Sequence, residues 1–96
     1  MKIDFGEGNP DKKPSLDAMR TVFRDYREKI LEGCPEVDTL TCDVYVNRHV
    51  HITYMRSATW LVQHDMFNIK VDMAYALCSK LSAMGWAVTY ESKPST

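Results

Sequence analysis

Three groups of side chains in this chain have the types and spacing to do chemistry. They are a His-x-His pair at His49 and His51, cysteines at positions 34, 42 and 78, and arginines at positions 20, 24 and 27. Residues two apart on a strand project from one face, so His49 and His51 could ligate zinc if two further donors joined them. Asp43 and His64 are the conceivable donors. The spacing matches no short zinc motif, however, and Cys42 points to the opposite face. The histidines are therefore read as structural or surface residues, with no metal site expected.

The cysteines carry no CxxC spacing and are odd in number. Cys34, between Gly33 and Pro35, falls in a turn after a helix, where the helix dipole disfavours a thiolate. Cys42 falls on an apolar strand face and Cys78 within a helical pattern, as small buried thiols of a reducing compartment do. Gly6-x-Gly8 is not followed directly by a helix, so it does not make a phosphate loop. No Ser-His-Asp set or carboxylate pair can be argued from spacing, because each candidate lies in a different element. We expect no enzyme activity and no cofactor.

The arginines recur at i, i+4 and i+7, which on a helix makes a basic edge of Arg20, Arg24 and Arg27. Asp17, Asp25, Glu28 and Glu32 form an acidic back. One reading is local pairing, Arg24 with Glu28 and Asp25 with Lys29. The other is a stripe for an acidic partner or for phosphates.

The element that would hold the histidines is Thr39–Met55, TLTCDVYVNRHVHITYM. Leu40, Cys42, Val44 and Val46 alternate with Thr41, Asp43, Tyr45 and Asn47; Val50, Ile52 and Tyr54 alternate with His49, His51, Thr53 and Met55. Same-face pairing needs opposed residues of equal parity. Placing Val46 opposite Val50 satisfies this, and puts Val44 opposite Ile52 and Tyr45 opposite His51. The expectation is an antiparallel hairpin with Asn47-Arg48-His49 as a three-residue loop.

Around it, Met1–Phe5 alternates as a short strand, and Gly6–Pro14 reads as a flexible loop. Ser15 is an N-cap, with Asp17 in the first turn, for a helix from Leu16 to about Glu32 that Gly33 and Pro35 end. Its core face is Leu16, Met19, Val22, Phe23, Tyr26 and Ile30. Within Arg56–Gln63, the Thr59, Trp60, Leu61 and Val62 run suits a third strand. His64–Asn68 reads as a connection, with Asn68 capping a more buried helix, Ile69–Met84, closed by Gly85. Trp86–Glu91 is a last strand, with Trp86, Val88 and Tyr90 on one face, and 92–96 is a polar tail.

The whole is one α+β domain, 1–96, in the order β-α-β-β-(β)-α-β: a two-layer sandwich with an antiparallel sheet and two helices on one face, ferredoxin-like if the first strand forms. The alternative is an αβββα core with an added C-terminal strand. The lysine-rich opening turn of double-stranded RNA-binding domains is missing, since only Lys70 is available there. Arg48–Tyr54 also lacks the glycine and aromatic pattern of RNP1.

Ninety-six residues, 45% hydrophobic, support one modest core. The net charge of −1 removes the footprint of a general nucleic-acid binder. No apolar run approaches the ~18 residues of a membrane span, and the first residues do not form a signal peptide, which points to the cytoplasm. By elimination the chain reads as a small protein-interaction module. An inhibitor or adaptor of the kind a virus or mobile element directs against a host protein complex fits its size. Its surface would be the open face with Tyr45, His51, Asp43, Thr53 and Met55, edged by Arg48 and His49. The other reading is a nucleic-acid binder, with Tyr45 and His51 stacking bases and the arginines on phosphates. Either is compatible with a homodimer.

Overall fold

A computed structural model of the chain describes residues 2–9, 11–32, 38–56 and 64–94. The expected turn around Cys34 with its helix stop at Gly33 and Pro35, the expected strand within 57–63, and Met1, Ser95 and Thr96 lie outside the described residues.

Helix α1, Leu16–Ile30, begins where its cap predicts. Ser15 is extended, and its hydroxyl accepts from the Ala18 amide at 3.2 Å. The apolar spacing then turns Met19 and Ile30 fully inward, with Val22, Phe23 and Tyr26 half-buried beside them. Helix α2 spans His64–Ala83. It starts five residues before the expected Ile69, so Asn68 lies inside it rather than at its cap. Phe67 sits four residues before Val71 and seven before Ala74, which continues the helical spacing backwards. Buried Ala74, Leu77, Cys78 and Leu81 form its inner face. Its end is a Schellman turn. The Trp86 amide bonds to Leu81 O at 3.2 Å and the Gly85 amide to Ser82 O at 3.0 Å, with Gly85 at φ +107.

The strands are β1 Lys2–Asp4, β2 Thr39–Tyr45, β3 His49–Arg56 and β4 Ala87–Pro94, in the sheet order β1-β4-β3-β2. The expected purely antiparallel sheet is corrected. β1 with β4 and β2 with β3 are antiparallel, but β3 and β4 run parallel. α2 thus connects two adjacent parallel strands, and the βαβ unit is not split as a ferredoxin-like order would require. β4 also runs through Pro94, so residues 92–94 are ladder, paired with Tyr54–Arg56, instead of tail. Val50, Ile52, Tyr54, Val88 and Tyr90 share one face and are all fully buried with the inner residues of both helices.

The hairpin keeps the expected faces and changes the expected pairs. Tyr45 lies opposite His49, Asp43 opposite His51, Val44 opposite Val50 and Cys42 opposite Ile52. The loop is Val46-Asn47-Arg48, one residue earlier than expected, and the register is shifted by two. Parity permits either register, so alternation could not choose between them. The choice rests on Asn47 and Arg48, both with φ near +60. Asn tolerates this region; Arg does so far less often. Arg48 is held there by distant partners: its Nη1 donates to Asn9 O at 3.2 Å and Gly85 O at 3.3 Å. As a result Val46 is at the tip, 82% exposed, and Val44 is 46% exposed, where both were expected in the core.

The Gly6–Pro14 segment is not a free tongue over its described residues. A Cβ on Gly8 would stand 2.5 Å from Trp86 O, so that backbone packs directly on the Gly85–Trp86 turn. Lys12 Nζ donates to Ala83 O at 2.8 Å, satisfying a carbonyl at the end of α2.

Candidate functional site

The face of the sheet turned away from this core carries most of the residues that the alternation singles out. Two rows cross all four strands. One is Asp4, Thr89, His51 and Asp43; the next is Lys2, Glu91, Thr53 and Thr41. His51 sits in the middle, three-quarters covered, with Nε2 3.2 Å from Glu91 Oε2. That approach lacks hydrogen-bond alignment. It counts as an ion pair only for a charged ring. His49 Nε2 shares a hydrogen bond with Thr89 Oγ1 at 3.0 Å, and its ring lies 5.9 Å from the Tyr45 ring. The Tyr45–His51 opposition that base stacking would use is replaced by Tyr45–His49. Thr53 is buried and Met55 half-buried, so they offer less surface than their parity implied.

The arginines divide. Arg27 Nε donates to Leu40 O at 3.2 Å and thereby covers part of the β2 edge. Arg48 anchors the hairpin to Asn9 and Gly85, as above. Arg20 and Arg24 are exposed and, among the described residues, have no ion-pair partner. Nor do the Arg24–Glu28 and Asp25–Lys29 pairs form.

At the hairpin end the surface is apolar. Leu16, Val44, Tyr45 and Val46 are four of the five large hydrophobic side chains that stand exposed among the described residues; the fifth, Ile69, is on α2. Leu16, Val44, Tyr45, Pro14 and Trp86 line an open groove of about 440 Å³, with Lys12, Lys13 and Arg48 as its polar members. Among the described residues no carboxylate lines it. Beyond Arg48 a second hollow of about 360 Å³ is bordered by Asp4, Glu7, Asn47, His49 and Thr89. Sequence reading assigned Leu16, Val44 and Val46 to the core and gave Lys12, Lys13 and Pro14 no role. The available signal was Val46, the hydrophobe directly before Asn47, which stands beside the turn in the expected register and within it in the observed one.

The two described thiols are unsuited to nucleophilic work. Burial, reinforced by Asp43 and opposed by Arg20, pushes Cys42 up from its usual 9.0 to about 11. Burial and the neighbouring Cys42 push Cys78 to about 12. Cys42 Sγ contacts Met19 Sδ at 3.9 Å, a packing contact. Among the described residues no three His, Cys, Asp or Glu side chains converge as a metal would require, and no helix is long and apolar enough to cross a membrane. No protein-family model, curated protein or solved structure matches this chain.

Proposed function

We propose that the chain is a small non-catalytic protein-interaction module, an inhibitor or adaptor, whose binding surface is the hairpin end. In this reading both helices form one layer over the Val50–Ile52–Tyr54 face, and the partner meets Tyr45, Val44, Val46 and Leu16. The observation that carries it is the concentration of exposed large apolar side chains around a single groove: of the five that stand exposed among the described residues, only Ile69 lies elsewhere. Isolated exposed hydrophobes are ordinary, whereas a clustered patch with a polar rim marks an interaction surface. Tyrosine beside an arginine is a composition favoured at hot spots. The open face around His51, with Asp4, Asp43 and Glu91 about it, is acidic and suits nucleic-acid phosphates poorly.

The test is affinity capture from the cognate host with the wild-type chain and a Tyr45→Ala/Val46→Ser double variant, followed by calorimetry with the captured partner. Both side chains are exposed, so the variant should keep the wild-type urea midpoint while binding falls about tenfold or more. Equal binding by the two proteins refutes the reading.

A further inference from the structure

Helix α1 lies along β2 and runs opposite to it. Leu16 and Val44 line one groove, Met19 meets Cys42, and Arg27 reaches Leu40. Among the described residues β2 is an edge strand of the sheet. Leu40 O accepts its hydrogen bond from outside the sheet, and in an antiparallel ladder the outward groups recur every second residue. The backbone N–H and C=O groups of Cys42 and Val44 therefore also face outward. They extend from the place where Arg27 closes the edge to the apolar groove.

Beside this stretch, which no described strand covers, stand Arg20 and Arg24, one helical turn apart. Arg20 is near enough to Cys42 for its charge to act on the thiol. Both guanidiniums are exposed and, among the described residues, unpaired. Below them, toward the groove, come Lys12, Lys13 and Arg48.

We infer that a partner protein contributes an extended acidic segment that pairs with β2 as a fifth strand, with carboxylates on Arg20 and Arg24 and an apolar side chain in the Leu16–Val44 groove. This rests on the proposed interaction function and specifies its partner. Strand addition uses main-chain hydrogen bonds for affinity and alternate side chains for specificity. Alternate positions of the added strand face α1, so its acidic and apolar residues fall two apart; Asp43, on the other face, disfavours acids at the intervening positions. A second copy of this chain fits poorly, because edge-to-edge pairing would bring two arginine rows together.

The test uses a random peptide display library panned on the whole chain, with enriched peptides remeasured by fluorescence anisotropy. The expected sequences alternate Asp or Glu with a residue that is apolar or uncharged. Arg20→Glu/Arg24→Glu should weaken them about tenfold or more, and lysine versions of the same peptides should recover binding to that variant. N-methylation at every second amide, which removes strand hydrogen bonds and leaves side chains intact, should abolish binding. Because both arginines are exposed, an unchanged urea midpoint shows the variant to be folded. Enrichment of basic peptides, or indifference to charge reversal or to N-methylation, overturns the inference. If such peptides are nevertheless lost with Tyr45→Ala, the interaction function stands without it; if nothing is enriched, both fall.

Discussion

Cys42 and Cys78 show how environment decides what a residue type can do. A thiol reacts as its thiolate, and both thiols ionise far later than the usual 9.0, near 11 and 12. At pH 8, mass-spectrometric mapping of alkylation should find both slow in the native chain and fast in urea. The linkage has a definite sign. The folded state holds these protons more tightly than the unfolded state, so their contribution is complete below about pH 9 and is lost as pH rises toward 11 and 12. A urea-midpoint series should decline across that window, and the decline should shrink in Cys78→Ala. Gly8 makes a second point at this scale. Its φ is +75, and the space for a Cβ is occupied by Trp86 O at 2.5 Å. Gly8→Ala should destabilise by roughly 1–3 kcal/mol in urea unfolding, with Gly6→Ala, where nothing lies within 4 Å, costing less.

At the level of elements, the sequence was read well wherever one period dominates. Ser15 caps α1, Met19 and Ile30 turn inward, and each hairpin strand keeps its face. It was read less well where a distant atom casts the deciding vote. The hairpin register hangs on Arg48 reaching Asn9 and Gly85, which no local pattern contains. Lys70 is the sharper case. It was considered only as a fragment of an RNA-binding turn, yet it is 4% exposed and its ammonium donates to Ile30 O at 2.6 Å and Glu32 O at 2.7 Å. A cation is thereby buried against the negative end of α1, satisfying carbonyls that the helix cannot satisfy itself. Lys70→Met keeps the stem and removes the donors. It should cost about 2–3 kcal/mol in urea unfolding, far more than the ~0.5 kcal/mol of a typical exposed lysine.

For the whole molecule, the order of the described elements was legible and strand order was not. Alternation says that a segment is a strand, but not which neighbour it chooses. Only the parallel β3–β4 pairing reveals that α2 spans adjacent strands and that Ser92–Pro94 belongs to the sheet. The candidate surface followed the same division. The open face could be assigned from parity, and Tyr45 with it. The groove could not, because it joins Lys12–Leu16 to Val44 and Trp86, segments far apart in sequence.

That strand order bears on how the protein is made. β4 is the last element of the described chain, and both β1 and β3 pair with it. During synthesis the ribosome releases β1, α1, the hairpin and α2 first. Until Ala87–Pro94 clears the exit tunnel, the hairpin is the only pairing that the described strands of the sheet can form, and β1 lacks its partner β4. Stalled nascent chains of increasing length, read with a force-sensitive arrest peptide, should therefore show one late folding event rather than stepwise gains. An earlier release of tension would mean that α1 and the hairpin fold without their central strand.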